Sequence, residues 1–377
     1  MNAKELFQAL EFAHYADRFR NKVFVIALPR ETPFQELLLD IKVLAGYHIQ
    51  VVLVVPDPDL ELERLISISN HRGTRFHLSL VTEATYNPAS GQLGLDLERI
   101  RKVLEQGKTP IIGYHAGLST PSLLETTFPL AGEVAGRLKA DKLFLVGAAV
   151  AQLEEALGRT HVTIDDLESI RASLPEWGLP SFAHLLEFVQ GLLERGLPDV
   201  ILMEGKPAHL FREVFTLDGA GILFNSGRGN LIRQAQVRDT TDIALLLRPE
   251  IEAERILPVD EADIESNISR YWIYEADGLL VGSARLKIYG SWAEIAQFST
   301  LPRYRGKGRA KELAQRMILE AREIDKEAVF ALSIDPRMWE FFLSIGFKET
   351  ERSDLPADWQ TRYDFSRTSH AFIMELE

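Results

Sequence analysis

The chain has 377 residues, 46% hydrophobic and 26% charged, which suits two globular domains with ordinary cores. Its 42 Lys+Arg against 55 Asp+Glu leave a formal net charge of −13, which opposes nucleic acid or an anionic membrane as a general partner. The cysteine count is zero, so disulfides, thiolate metal sites and cysteine nucleophiles are excluded.

Residues 2–20 set Lys4, Glu5, Glu11, Asp17 and Arg18 among apolar positions, the pattern of an amphipathic helix and no signal peptide. No apolar run approaches transmembrane length, so a cytoplasmic location is expected. Strand patterns follow at Val23–Leu28, Ile49–Val55, Phe76–Val81, Pro110–Gly113, Lys142–Val146 and Val200–Met203. Between them, helical patterns cover Phe34–Leu44, Leu60–Ser69, Leu95–Glu105, Leu123–Leu138, Ile164–Leu174, Phe182–Arg195 and His209–Phe215. Such alternation predicts an α/β sandwich around a mainly parallel sheet. Gly219–Asn230 reads as a last strand running into a linker, which divides the chain into domains 1–228 and 229–377. The second domain opens with Leu231–Val237 and continues through strands Tyr271–Ala276, Gly278–Ile288 and Trp292–Ser299.

The next segment is the most informative. Ala293–Ser299 reads as a strand and Ala310–Ile324 as an amphipathic helix, and between them lies a turn containing Gly306 and Gly308. Such a turn points backbone N–H groups at one spot, where the helix dipole adds positive potential. A diphosphate fits there, with Arg303, Arg305, Lys307, Arg309 and Lys311 as counter-charge. The pattern Arg305-x-x-Gly308-x-Ala310 resembles the pyrophosphate signature of the GNAT acetyltransferases, which bind acetyl-CoA. A strand at Val329–Ser333 and a helix at Arg337–Ser344 follow in the order that family requires.

The chain as a whole resembles the bacterial N-acetylglutamate synthases, which join an amino-acid-kinase-like α/β/α sandwich to a C-terminal α+β GNAT domain. The likeness rests on Ala293-Glu294-Ile295-Ala296, Phe330-Ala331-Leu332-Ser333, Ile345-Gly346-Phe347 and Arg367-Thr368-Ser369-His370, with looser matches before residue 231. A working kinase needs a Lys and glycines after its first strand, where this chain has Ala27-Leu28-Pro29-Arg30. After the second strand Pro56-Asp57-Pro58 replaces a glycine-rich turn, and neither residue type favours phosphate. Phe128-Pro129-Leu130 stands where that family has Asn-Ala-Asp. The first domain is therefore read as non-catalytic. In the family it binds arginine as an effector and builds a homo-oligomer, and Glu213–Gly221 resembles part of the arginine site, although Ile222 stands where a Thr is expected.

The resemblance implies attack of an amino-acid amine on acetyl-CoA, most simply acetylation of L-glutamate at the start of arginine biosynthesis. An amine that is protonated at neutral pH needs a base, and Glu294 matches the family's catalytic glutamate. By strand alternation Glu294, Ala296 and Phe298 share one face. Backbone groups of Ala296, Gln297 and Phe298 are expected to hold the pantetheine arm and polarise the thioester. Ser333 matches the position that assists the leaving thiolate, with Asp335 as the alternative unless it caps the following helix. Arg367 matches one carboxylate clamp. The family's second basic position falls in Ile256-Leu257-Pro258-Val259-Asp260, so Arg248, Arg285 or Lys287 must substitute. The nine histidines show no metal-ligand spacing, and no metal is expected. Two rival readings are another amino acid or small amine as acceptor, and a non-catalytic sensor of arginine or CoA.

Overall fold

The computed structural model describes residues 3–28, 34–56, 66–67, 70, 77–81, 85–87, 92–94, 96–114, 127–147, 150–227, 229–276 and 278–376. Asn2, Pro29, Arg30, Asp57, Pro58, Phe76, Leu95, residues 123–126 and most of the Leu60–Ser69 helix lie outside them. The chain divides into two compact units, residues 1–227 and 228–377.

The first unit runs α1 (Ala3–Arg18), β1 (Val23–Ala27), α2 (Phe34–Gly46), β2 (Gln50–Pro56), β3 (Leu78–Val81), the short hairpin β4 (Thr85–Asn87) and β5 (Gln92–Gly94), then α3 (Leu97–Glu105) and β6 (Thr109–Tyr114). It continues with α4 (Thr127–Leu138), β7 (Lys142–Val146), α5 (Val150–Leu157), β8 (His161–Thr163), α6 (Leu167–Ser173), α7 (Ala183–Glu194), β9 (Asp199–Met203), α8 (His209–Phe215) and β10 (Ile222–Asn225). Eight strands form one sheet in the order β3-β6-β2-β1-β7-β9-β10-β8. It is parallel except where β10 meets β9. The central strands are apolar without alternation because helices cover both faces: Phe24, Val25, Ile26 and Ala27 are all fully buried. Phe12 of α1 packs on Tyr47, Phe211 and Phe215, tying α1 to the end of α2 and to α8. Glu213 accepts the N–H groups of Ala220 and Gly221 at 2.7 and 3.0 Å, which sets the turn into β10. Gly221 has no alternative there, since a Cβ would stand 2.7 Å from the Leu202 carbonyl oxygen.

The second unit contains β11 (Leu231–Gln234), α9 (Thr240–Glu252), α10 (Glu261–Ser266), β12 (Tyr271–Ala276), β13 (Leu279–Tyr289), β14 (Trp292–Thr300) and α11 (Arg309–Glu323). After these come β15 (Ala328–Ser333), α12 (Pro336–Ser344), β16 (Lys348–Thr350), α13 (Ala357–Gln360) and β17 (His370–Glu375). Its seven strands are ordered β11-β12-β13-β14-β15-β17-β16, antiparallel except for β14 beside β15. At the edge, Arg233 makes a bidentate pair with Asp239 at 2.7 and 2.9 Å and reaches Glu275 at 3.0 Å. The bridge fixes the entry of α9 onto the sheet, and α9 carries one wall of the cavity described below. Among the described residues no helix is long and apolar enough to cross a membrane.

Candidate active site

β14 pairs with β15 over Trp292–Glu294 against Ala328–Phe330 and no further. β15 continues beside β17 as far as Ser333, while β14 continues beside β13. The reason is a bulge. Arg285 pairs with Ala296 but Ser283 pairs with Ser299, so β14 holds one residue more than its partner between those points. Gln297 absorbs it with φ +50°, in the left-handed region that few side chains adopt, and its amide oxygen receives the Tyr271 hydroxyl. The bulge bends β14 away from β15. It also ends the simple alternation read from the sequence: Glu294 and Ala296 keep a common face, but Ser299, not Phe298, resumes the register opposite Ser283.

The parting strands open a cavity of about 290 Å³. Its floor is residues 294–300 and 332–335, and its walls come from Glu250 and residues 255–257, the start of α11, α12, and the segment carrying Tyr363, Arg367 and Ser369. The β15-facing backbone edge of residues 295–298 is left without that strand as a partner, and it faces this space. Phe341 of α12 packs on Phe298 at 5.6 Å between ring centres and closes one side with apolar surface.

Glu294 lies at the head of the cleft, buried, across the ladder from Lys287. The Lys287 Nζ stands 3.8 Å from Glu294 Oε2, and that oxygen accepts no hydrogen bond. Tyr289 is close by: its burial, and then the Glu294 carboxylate, push its hydroxyl pKa far up, so it stays protonated. At the opposite lip, Ser333 Oγ accepts the Asp335 N–H at 3.0 Å, which leaves its own O–H proton to give. Asp335 caps α12 by accepting from the Arg337 N–H, and hydrogen bonds from the Arg337 guanidinium hold its carboxyl below the usual range. That occupation leaves Ser333, not Asp335, as the hydroxyl or acid able to act in the cleft.

The turn has the geometry its glycines suggested. Gly306 and Gly308 have φ of +82° and +76°, and Gly308 starts α11 as an N-cap without a side chain. The first-turn amides of α11 are therefore uncapped and collect the positive end of the helix dipole. Of the five cations expected to surround a diphosphate, Arg305 lines the cavity, held by the Thr300 carbonyl at 3.2 Å and Glu250 at 3.1 Å. Arg309 departs from expectation. Its side chain is buried, donates to the Tyr304 carbonyl and packs over that ring, because α11 must seat an apolar face on the sheet and position 309 falls on that face. Arg303, Lys307 and Lys311 stand outside the cavity wall, as do Gly306 and Gly308, while Ala310 lies within it.

Of the acceptor-binding candidates, Arg367 lines the cavity and donates to the Glu254 carbonyl at 2.9 Å. Lys287 lines it too. Arg285 does not: it pairs with Asp263 at 2.8 Å and packs over Tyr271, drawn to the nearest carboxylate on α10. Arg248 pairs with Glu252 on its own helix and is likewise absent from the wall. Sequence reasoning missed Glu250, Arg255 and Tyr363, which the fold brings into the cavity from distant points in the chain. Among the described residues, no group of three His, Asp or Glu side chains is arranged to hold a metal ion.

Residues 238–347, which span the bulge, the helix mouth and α12, match the model of the acetyltransferase (GNAT) family. The chain resembles bacterial N-acetylglutamate synthase. The solved N-acetylglutamate synthase of Neisseria gonorrhoeae, in complex with coenzyme A and L-arginine, aligns over 99% of both chains with a TM-score of 0.60 and 22% identity. The fold is thus shared: an amino-acid-kinase-like α/β/α sandwich followed by an α+β GNAT unit. Among curated proteins, the amino-acid acetyltransferase of Vibrio atlanticus (strain LGP32) is 29% identical over 294 residues, 75% of this chain and 65% of that protein. The amino-acid acetyltransferase of Azotobacter vinelandii (strain DJ / ATCC BAA-1303) is 30% identical over 244 residues, 63% of this chain and 55% of that protein. The chain spans 65–66% of the length of three such relatives.

Proposed function

We propose that the second unit transfers the acetyl group of acetyl-CoA to the α-amine of an amino acid, with L-glutamate as the acceptor that best suits its relatives. The observation carrying this reading is the cleft between β14 and β15. It sets a buried carboxylate oxygen without a hydrogen-bond partner, Glu294 Oε2, in the same space that Arg305 and Ala310 line from the turn into α11. The residues fit the co-substrate. The turn at Gly306–Ala310 would take its diphosphate with Arg305 as the nearest cation, and the open edge of residues 295–298 would pair with the amides of its pantetheine arm.

Glu294 takes a proton from the acceptor's ammonium, and the freed amine attacks the thioester carbonyl. Main-chain N–H groups on the bulged edge of β14 stabilise the negative charge that develops on that oxygen. As the C–S bond breaks, the electron pair leaves on sulfur, and the surplus proton of the attacking nitrogen passes to that sulfur to give the amide and the thiol. A thiol's pKa of about 8.5 means that the departing thiolate needs little help, and a hydrogen bond from the Ser333 hydroxyl suffices. Lys287 stands beside Glu294 with its Nζ 3.8 Å from Oε2, and Arg367 receives a carboxylate of the acceptor.

The first unit, residues 1–228 with the GNAT domain beginning at 229, is read as a non-catalytic, oligomer-building and regulatory domain. Leu28 and Pro56 stand at strand ends where nucleotide binding calls for lysine and glycine. Arginine is the effector to test against it, through the turn that Glu213 organises, and a homo-oligomer is expected. The decisive experiment for the activity offers acetyl-CoA with a panel of L-amino acids and simple amines while thiol release is followed. Transfer to an L-amino acid, glutamate foremost, is expected. Tight acetyl-CoA binding with no acceptor ever consumed would make the protein a sensor instead.

A further inference from the structure

A base in a cleft must be aimed, and the sheet supplies the means. β14 lies between β13 and β15. On β13, Lys287 is the register partner of Glu294 and Tyr289 is that of Trp292. On β15, Phe330 is the partner of Glu294. Register partners share a face of a sheet, and so do residues two apart on one strand. Lys287, Tyr289, Trp292, Glu294 and Phe330 therefore all rise from the face that carries the base.

Tyr289 does not stay above its own strand. Its ring packs on Phe330 at 5.8 Å between centres, and Phe330 is two strands away. To reach it the ring must cross β14, and the diagonal from Tyr289 to Phe330 passes between Trp292 and Glu294. Trp292 and Trp359 also pack on Phe330, at 6.2 and 6.0 Å, so the tyrosine lies in an aromatic floor that limits its movement. This path brings its hydroxyl to the Glu294 carboxylate, which acts on it by charge and as a hydrogen-bond acceptor. Burial first, and then that carboxylate, keep the hydroxyl protonated, so it has a proton to give. Glu294 Oε2 accepts no hydrogen bond, which leaves that oxygen for the amine and the other for the phenol. The charged groups nearby are Lys287, 3.8 Å from Oε2, and Arg362 and Arg285, which act on the hydroxyl in the opposite sense to Glu294. Tyr363, the phenol in the cavity wall, shares a hydrogen bond of 2.6 Å with Ser369.

We propose that Tyr289 is a positioning residue for the transfer: its hydroxyl donates to one oxygen of Glu294 and so turns the other toward the acceptor's ammonium. The inference rests on the transferase reading above, because it needs Glu294 to be the base. Tyr289 itself lies outside the cavity wall and acts through Glu294 alone.

The test is a double-mutant cycle of Tyr289→Phe and Glu294→Gln, with kcat and the KM values for acetyl-CoA and L-glutamate measured in each protein and thermal melting serving to verify folding. Tyr289→Phe keeps the ring on Phe330 and removes the hydroxyl alone. Its kcat should fall about tenfold, the scale of one hydrogen bond to a charged group, with both KM values within about twofold of wild type. In the Glu294→Gln background the same change should alter residual turnover by less than about twofold, because no base is left to aim. A tyrosine that only supports the fold would lower turnover by the same factor in both backgrounds, and that equality overturns the proposal. A kcat for Tyr289→Phe within about twofold of wild type overturns it too, as does a change confined to KM. A wild-type protein that turns over no acceptor removes the transferase reading itself, a result distinct from these.

Discussion

Gly308→Ala separates the anion-cradle account from a purely structural turn. The backbone there has φ +76°, and a Cβ would find Glu312 Oε1 at 3.9 Å as its nearest neighbour. The substitution therefore introduces backbone strain and no clash, about 1–2 kcal/mol for an alanine in the left-handed region. For a unit of this size that corresponds to a fall in Tm of about 2–8 °C. Gly278 provides a matched control, with φ +79° and nothing within 4 Å of a Cβ, in the β12–β13 turn and outside the cavity wall. The two variants should lose similar stability. Affinity should distinguish them, because the proposed cradle brings the diphosphate to the amides of α11 through the open space at Gly308. Calorimetry with CoA should show Kd raised about tenfold or more for Gly308→Ala and unchanged for Gly278→Ala, since each lost charge-assisted bond to an anion is worth about 1.5–3 kcal/mol. Equal CoA binding by both variants would refute the cradle.

Ser333→Ala should lower kcat by no more than about tenfold, because a thiolate is a good leaving group. A small drop in Tm should accompany it, since the Asp335 N–H loses its acceptor; a loss of three decades in kcat would contradict the modest role. In the first unit, Asp40 is buried, and desolvation raises its carboxyl pKa although backbone groups at the start of α8 partly offset this. A raised folded pKa stabilises below the unfolded value of about 3.9, and that stability is lost as pH climbs through the folded value. Asp40→Asn does not titrate, so its Tm relative to wild type should be higher at pH 7 than at pH 4. A difference independent of pH would contradict the burial argument.

Much of the fold was legible because local signals agreed with it. Lys142–Val146, His209–Phe215 and Tyr271–Ala276 have in the structure the bounds read from their apolar patterns. Other elements escaped. The three-residue β8 is too short to show a period, and α9 carries Pro249 in its last turn, which reads as a breaker. The bulge at Gln297 was invisible for a different reason. It is a mismatch of register between two strands, and alternation within one strand contains no trace of it. Arg309 was read as counter-charge because composition around the glycines is basic, yet helical phase turned it inward. Arg255 and Tyr363 reach the cavity through tertiary packing across more than a hundred residues, so spacing along the chain held no clue to them. Glu294, Ser333, Arg305 and Arg367 were named from motifs, and the fold gathers all four around one space.

The account's central claim is that the cleft between β14 and β15 runs acetyl transfer with Glu294 as proton acceptor. Its most direct test is the turnover of Glu294→Gln beside wild type, with CoA affinity measured in the same preparations. The account predicts that kcat falls about 10²–10⁴-fold while the Kd for CoA holds, because a general base contributes that much and Glu294 lies away from the helix mouth. Turnover within about threefold of wild type, in a variant that binds CoA normally, would contradict it.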